Sequence, residues 1–183
     1  MRVKVNKVKI VLQIIDIAQV HDVDVLVRVS SPDLFVPDEW LSKLDEDALS
    51  QLTRIGWCDV GSAVMTPLVK SEYRAVIHAI GPRWGEESAR GKLANVTWEL
   101  LWLAETGGFR SLALPAISVG TLGYPVENCA RTMLQQVLDF TFEPIRHIRT
   151  IVFCLLSTNE YHVFEAELRQ QIDALDSAST QNA

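Results

Sequence analysis

The stretch from Leu112 to Cys129 most constrains the fold, because it combines a buried strand, a glycine-containing loop and the start of a helix. Residues 112 to 117 form an almost continuous apolar run, which is typical of a strand covered by helices on both faces. The run stops at Ser118, and Gly120 and Gly123 then allow a sharp turn and a close approach of the backbone to a ligand. Free amides in such a loop favour the binding of phosphate.

The residues after the loop favour the same interpretation. Pro125 suits the first turn of a helix, and Glu127 suits the positive end of the helix dipole. Glycine, serine and proline after a strand are also the usual residues of an ordinary loop, so a loop without a ligand stays an alternative at this point.

The rest of the chain alternates strand-like and helix-like patterns. Apolar or alternating segments predict strands at 3–15, 23–29, 60–67, 73–81 and 150–156, and helical spacing predicts helices at 38–55, 92–106, 125–140 and 159–172. This order predicts an α/β fold whose parallel strands are joined by helices on both faces. Ligands of such sheets bind beyond the carboxyl ends of the strands, where Asp16, Ser30, Ser31 and the loop 118–124 all fall.

Composition limits the classes of function. The chain of 183 residues has a net charge of −6, which argues against nucleic acid as a partner, because a phosphate backbone requires a basic surface. The three cysteines lack metal-ligand spacing and are expected to be reduced core residues, and the acidic residues of 38–47 are expected on a solvated face, so no metal and no cofactor is predicted. We find neither a signal peptide nor an apolar run of membrane-spanning length, and we expect a cytoplasmic protein without a membrane partner.

Three segments resemble the macrodomain family of ADP-ribose-binding α/β modules. The segments AVIHAIGP (75–82) and SLALPAISVGTLGYPVENCA (111–130) are similar to its VIHAVGP strand and its ALPAISTGIYGYP strand and loop, in order and spacing. VGSAVMTP (60–67) is similar to its G-x-A-x-x-T strand. The resemblance covers about 12–168 and is strongest over 61–130.

The resemblance implies a three-layer α/β/α fold with a mixed, mostly parallel sheet of about six strands. From the chain length we expect a single macrodomain-like domain over 1–172, and we expect the tail 173–183, which ends in the small and polar SASTQNA, to be disordered. The implied ligand is ADP-ribose or a related nucleotide, and an ADP-ribosylated protein is a further candidate partner. In the family, an Asp-Ile pair recognises adenine and the second loop holds the diphosphate and the distal ribose. The expected ligand-binding residues are Asp16, Ile17, Arg28, Ser31, Ser118, Val119, Gly120, Thr121, Leu122, Gly123 and Tyr124.

The chain departs from the family pattern at several of these positions. Arg28 and Ser31 stand where the family has two asparagines, of which the second usually holds the distal ribose and any catalytic water. The first, glycine-rich loop is replaced by PDLFVPDEW (32–40), Leu122 replaces an aromatic residue, and Ile15 replaces a glycine. A mispositioned water lowers a hydrolytic rate more than it lowers affinity. Arg28 could add a phosphate contact if its guanidinium reached the cleft.

These departures favour a binding module with weak or no hydrolase activity. Two alternatives remain: a hydrolase that releases ADP-ribose or removes the terminal phosphate of ADP-ribose phosphate, and an interaction scaffold with a vestigial cleft. No catalytic residue is assigned. His78 is expected to be a structural histidine, Ser118 a hydrogen-bond donor to phosphate, and Trp84 a candidate wall of the cleft.

Overall fold

The computed structural model describes residues 1–181. The strands are β1 (Arg2–Val5), β2 (Val8–Ile14), β3 (Val25–Val29), β4 (Ala63–Pro67), β5 (Ala75–Ala79), β6 (Ser111–Pro115) and β7 (Thr150–Leu155). The helices are α1 (Asp38–Leu41), α2 (Glu46–Ile55), α3 (Ala89–Thr106), α4 (Val126–Phe140) and α5 (Thr158–Gln181).

One mixed sheet contains all of these strands, in the order β1-β2-β7-β6-β3-β5-β4. The inner pairs are parallel, and the two outermost strands pair antiparallel to their neighbours. The sheet therefore has seven strands rather than the expected number of about six. The additional strand is β1, because the alternating segment at the amino terminus turns back at Asn6, whose φ is +52°.

The helices form a layer on each face of the sheet, so the predicted three-layer α/β/α fold is confirmed. Side chains of β3 alternate between the faces: Val25 and Val27 pack in the cluster that contains residues of α3, α4 and α5, while Leu26 packs with α2. The inner strands are buried on both sides, which explains their nearly continuous apolar sequences.

Helix α5 is longer than the sequence pattern predicts. We expected the helix to end at Ile172 and a disordered tail over 173–183, but the structure continues the helix to Gln181. Leu175 packs against the core one turn beyond Ile172, and the hydroxyl groups of Ser177 and Ser179 donate hydrogen bonds to carbonyl groups of the preceding turn. Residues 182 and 183 lie outside the described part of the chain.

The strand order creates a crevice between β3 and β6. After β6 the chain passes through α4 to β7 on one side, and after β3 it passes through α1 and α2 to β4 and β5 on the other side. A crevice opens where neighbouring strands send their connections in opposite directions, at the carboxyl ends of the strands. The segments that follow β3 and β6 therefore border the expected ligand site.

Two further features bear on the sequence predictions. All three cysteines are buried and unpaired. Among the helices within residues 1–181, none is both long and apolar enough to cross a lipid bilayer.

Candidate functional site

The loop from Ser118 to Tyr124 folds back on itself between β6 and α4. The Tyr124 amide donates to the Ser118 carbonyl over 3.0 Å, and the Gly123 amide donates to the Gly120 carbonyl over 2.9 Å. Gly120 and Gly123 have φ values of +94° and +70°, which glycine adopts without a steric penalty. Helix α4 begins immediately after Pro125, one residue later than predicted.

The inner turn of this loop leaves backbone donors unused. Within residues 1–181, the amides of Ser118, Gly120, Thr121 and Leu122 donate no hydrogen bond to a protein acceptor. A Cβ atom added at Gly120 or Gly123 would meet no atom within 4 Å, so the space beside both glycines is open. The loop thus combines unpaired amides with open space beside its two glycines, two features that favour an anion site.

Ser118 is the strained residue of the loop. Its φ is +68°, its side chain is only 2% exposed, and its Oγ atom is occluded without a hydrogen-bond partner among the described residues. A Cβ at Gly81 would overlap with Ser118 Oγ and lie 2.7 Å from Ile117 Cγ2. Gly81 is therefore required for close packing against the loop, a role that the sequence signalled only as the end of a strand.

Asp16 and Ile17 lie at the same edge of the sheet, directly after β2. Asp16 is exposed, and its Oδ1 accepts a hydrogen bond of 2.9 Å from the amide of Ala18, which caps a short 3-10 turn over Ile17–Gln19. Its second oxygen, Oδ2, accepts no hydrogen bond from residues 1–181 and is available to a ligand. The turn packs against β6, which brings Asp16 toward the loop that follows this strand.

Arg28 lies beneath the surface instead of facing solvent. Its side chain is 2% exposed, with Nε donating to His78 Nδ1 over 2.7 Å and Nη1 donating to the carbonyl of Phe35 over 3.1 Å. Desolvation lowers the pKa of Arg28 to about 10. The guanidinium thus supports the segment after β3, and a contact with a ligand in the cleft would require this segment to move.

His78 is a structural residue, as expected from its apolar neighbours in sequence. Its Nδ1 accepts from Arg28, so in the neutral ring Nε2 carries the proton and donates to Thr66 Oγ1 over 2.8 Å. Desolvation, and secondarily the charge of Arg28, lowers the pKa of His78 to about 3. The ring is therefore neutral at physiological pH and is fully occupied by protein partners.

Ser31 lies in a compact turn where the family has its glycine-rich loop. The Ser31 hydroxyl donates to Asp33 Oδ1, and the Leu34 amide donates to the Ser31 carbonyl. Leu34 is buried with a φ of +60°, a conformation that costs energy for a leucine. The Ser31 side chain is exposed but already bonded, so it does not reproduce an asparagine directed at a ligand.

Trp84, the candidate wall of the cleft, contacts the loop through its backbone and its indole. Its amide donates to the carbonyl of Leu122 over 2.9 Å and so fixes the loop from outside. Its indole, 49% exposed, packs edge-on against Tyr124 at a ring distance of 5.0 Å. Tyr124 is buried, so its ring supports the loop instead of covering a ligand.

The structure thus brings together a part of the predicted set. The carboxyl edge of the sheet presents the unpaired amides of Ser118, Gly120, Thr121 and Leu122 and the free oxygen of Asp16. The amides of Val119 and Gly123 and the side chains of Arg28, Ser31 and Tyr124 are engaged with the protein.

Comparison with known proteins gives a consistent set of matches. The Macro domain family model matches residues 42–133. A macro domain-containing protein of Listeria monocytogenes serotype 4b is 34% identical over 147 residues, which cover 73% of this chain and 84% of that protein. An O-acetyl-ADP-ribose deacetylase of Salmonella typhimurium is 44% identical over 87 residues, which cover 46% of this chain and 49% of the enzyme.

Solved structures share the fold at lower sequence identity. The Oceanobacillus iheyensis macrodomain with ADP has a TM-score of 0.82 and 21% identity, covering 95% of this chain and 97% of that chain. The Trypanosoma brucei macrodomain in complex with ADP-ribose has a TM-score of 0.71 and 22% identity, covering 86% and 68%. The chain spans 49% of the Salmonella enzyme and 65% of a Sulfurisphaera tokodaii relative, so these matches are partial in length.

Proposed function

The chain belongs to the macrodomain family, and from this membership we propose that its cleft binds ADP-ribose or a related nucleotide diphosphate, with weak or no hydrolysis. The observation that carries the proposal is the set of free amides at Ser118, Gly120, Thr121 and Leu122, beside open space. Backbone amides that are held in place by a loop bind a diphosphate without a cost of reorganisation, since each N–H to phosphate bond is charge-assisted.

Asp16 is proposed to bind the other end of the ligand. Its free Oδ2 can accept a hydrogen bond from the exocyclic amino group of adenine. A carboxylate selects a donor, and adenine carries an amino group where the other purine of common nucleotides, guanine, carries an oxygen. The site would therefore prefer adenine nucleotides.

A second candidate function is the deacetylation of O-acetyl-ADP-ribose, or another hydrolysis that releases ADP-ribose or removes the terminal phosphate of ADP-ribose phosphate. The Salmonella deacetylase favours this candidate, because 44% identity extends over 87 residues. Ser31 and its turn weigh against it, since the hydroxyl is bonded to Asp33 and offers no amide to position a water. The third candidate, a scaffold with a filled cleft, lacks the apolar plug that it would require beside Gly120 and Gly123.

Thermal unfolding with and without ADP-ribose tests the binding proposal. At a ligand concentration 100 times Kd, binding adds about 2.7 kcal/mol, which raises Tm by about 5–10 °C for a chain of this size. We expect Gly123→Glu to abolish the shift, because a carboxylate placed beside the free amides repels a diphosphate. Asp16→Asn, which keeps an acceptor oxygen for the Ala18 amide, should weaken binding about 10-fold or more.

Gly108→Glu is the matched control for Gly123→Glu. Gly108 also has a positive φ of +77° and open space around it, but it lies before β6, at the opposite edge of the sheet. This control should lose stability yet keep the ADP-ribose shift. Equal shifts in the parent protein, Gly123→Glu and Asp16→Asn would place the ligand elsewhere and contradict the proposal.

Turnover is measured separately. We expect stoichiometric binding of O-acetyl-ADP-ribose with no acetate released above the rate of the free compound. Multiple turnovers, or the release of label from a mono-ADP-ribosylated protein, would establish the hydrolase instead.

An ADP-ribosylated protein as partner and a cytoplasmic location are part of the proposal; the unpaired cysteines support a reducing compartment.

A further inference from the structure

A second concave site lies beside the diphosphate loop. It is a cavity of about 190 Å³, lined by Trp84, Arg90, Tyr124, Asn128, Arg131 and Thr132. These residues come from the segment before α3, the first turn of α3, the end of the loop and the first two turns of α4. Tyr124 is shared with the residues predicted to bind ADP-ribose, and Trp84 is also the candidate wall of that cleft.

The side chains that line this cavity carry unused polar groups. Within residues 1–181, neither guanidinium has an ion pair or a hydrogen bond, and the same holds for the Asn128 amide, the Trp84 indole N–H and the two hydroxyl groups. Tyr124 and Thr132 are 3% and 5% exposed. Among the described residues, the fully occluded side-chain polar atoms without a partner are Arg28 Nη2 and Ser118 Oγ. The unpaired hydroxyl groups of Tyr124 and Thr132 do not belong to this set, so they are not fully occluded and open into the cavity.

The positions of these groups let them converge. Asn128, Arg131 and Thr132 have the i, i+3, i+4 spacing that places side chains on one face of α4. Arg90 is the second residue of α3, where the positive end of the helix dipole adds to its charge. Of the nearby acidic residues, Glu86 is bonded to Lys92 at 2.8 Å, and Glu87 before α3 and Glu127 at the start of α4 are exposed. Among the described residues, none that lines the cavity carries a carboxylate.

The chemistry of this set matches an oxyanion. Two unpaired guanidinium groups in a chain of net charge −6 form a local positive site. The indole and guanidinium groups only donate hydrogen bonds, and the hydroxyl and amide groups can donate as well. Six donor residues supply more hydrogen bonds than the two oxygens of a carboxylate accept, whereas a phosphate group offers more oxygens in a tetrahedral arrangement. A volume of about 190 Å³ equals about six water molecules and accommodates a phosphate.

We propose that this cavity is a second anion site, which binds a phosphate group, either as inorganic phosphate or as the phosphate monoester of a sugar. The exposed indole of Trp84 forms one wall, which suits the apolar face of a sugar. The proposal does not depend on ADP-ribose binding in the main cleft, because the two sites use different donors: backbone amides in the loop and side chains in the cavity.

The test is an NMR titration that follows the tryptophan indole N–H resonances of the full chain, with the Trp84 signal assigned from Trp84→Phe. Inorganic phosphate should shift this resonance saturably. The double variant Arg90→Gln and Arg131→Gln should weaken binding at least about 10-fold, as expected for the loss of charge-assisted hydrogen bonds. Arg54→Gln on α2, at the other face of the sheet, is the matched control and should leave the titration unchanged.

Ribose 5-phosphate and ribose distinguish the two sources of the group. Tighter binding of ribose 5-phosphate than of phosphate, with no effect of ribose, identifies a sugar phosphate; binding of phosphate alone identifies the inorganic ion. Gly123→Glu should leave phosphate binding intact. The proposal is wrong if the Trp84 resonance does not shift saturably, if the double variant binds as the parent does, or if Gly123→Glu abolishes the shift.

A negative result for the second anion site can be distinguished from a negative result for ADP-ribose binding in the main cleft. The double variant should keep the Tm and the ADP-ribose affinity of the parent, because both arginines are exposed and neither belongs to the main cleft. A parent that binds phosphate through the arginines but does not bind ADP-ribose would retain this inference and reject the proposed function.

Discussion

Ser118 combines a left-handed backbone with a buried hydroxyl group that has no partner among residues 1–181. Each feature costs about 1–2 kcal/mol or more, and such costs persist mainly at functional sites. The hydroxyl would gain a partner if the side chain rotated toward a phosphate bound at the neighbouring amides. The strain is therefore consistent with a residue that serves ligand binding at the expense of stability.

We expect Ser118→Gly to stabilise the unliganded protein and to weaken ligand binding. Glycine relieves the positive φ and removes the unpaired hydroxyl, and its greater flexibility in the unfolded chain offsets part of the gain, so the net effect is about 1 kcal/mol. Loss of a neutral hydrogen bond should reduce ADP-ribose affinity about 2- to 10-fold. Urea unfolding and calorimetry measure the two effects.

Asp22→Gly is the control, since Asp22 is exposed with a φ of +61° and lies away from the loop. It should change stability without changing affinity. A Ser118→Gly protein that binds ADP-ribose as tightly as the parent would remove the side chain from the site.

His78 should make folding stability depend on pH. The pKa of His78 is about 3 in the folded protein and about 6.5 when unfolded, so between these values the unfolded chain binds more protons. The contribution of His78 to the free energy of unfolding is therefore fully present above about pH 6.5. It falls as the pH is lowered toward 3, by up to about 1.4 kcal/mol per pH unit. Urea unfolding from pH 7 to 4 should show this slope, and it should be smaller in His78→Gln. Equal slopes in the two proteins would contradict the assignment.

At the scale of elements, the helix α3 and the segment before β7 are joined through one carboxylate. Glu105 is buried and accepts hydrogen bonds from the amides of Arg146, His147 and Ile148 at 2.6, 3.0 and 2.9 Å. Burial alone would raise the pKa of Glu105, but the three amide bonds outweigh it, so the pKa lies below its usual value. This contact fixes residues 146–148, just before β7, to the end of α3.

Glu105→Gln should destabilise the protein by about 2 kcal/mol at pH 7, because the amide side chain loses the charge-assisted bonds. Since the folded pKa is lowered, the contribution is present above about pH 4.3, the unfolded value, and is lost as the pH falls further. Glu99→Gln in the same helix, where no bond of this kind exists, is the control and should have little effect. Chemical unfolding at pH 7 and at pH 4 gives both comparisons.

Local sequence patterns predicted the elements that surround the loop. The strand β6, the loop and the start of α4 follow from an apolar run, two glycines and a proline within a short stretch, each of which acts locally. The direction of Arg28 could not be predicted, because it depends on the pairing of β3 with β5, which places Arg28 beside His78. The end of α5 was missed because Leu175 is a single apolar residue among polar neighbours, and only packing against the core identifies it.

At the scale of the whole molecule, distant parts of the chain interleave in the sheet. Strand β7 lies between β2 and β6, and β3 lies between β6 and β5. No contiguous half of the chain can therefore form the central sheet by itself. Trp98 and Trp102 contact Phe140 on one face of the sheet, whereas Trp40 packs on the other face.

We expect one cooperative unfolding transition. Because both helical layers depend on the same sheet, far-UV circular dichroism and tryptophan fluorescence should give the same urea midpoint. Trp40→Phe and Trp98→Phe each remove a tryptophan from one face of the sheet and so weight the fluorescence toward the opposite face. In each variant the fluorescence and circular dichroism midpoints should still agree. Separate midpoints would show that one layer unfolds before the other.

The opposite exits of the chain from β3 and β6 have an evolutionary consequence. The two sides of the crevice, the segment after β3 and the loop after β6, lead into different helices. Insertions or replacements on one side can therefore accumulate while the other side keeps its geometry. In this protein Arg28 holds the segment after β3, and the loop after β6 leaves four backbone amides unpaired. Such a scaffold can change its ligand through substitutions on one side of the crevice alone, because the other side keeps its own support.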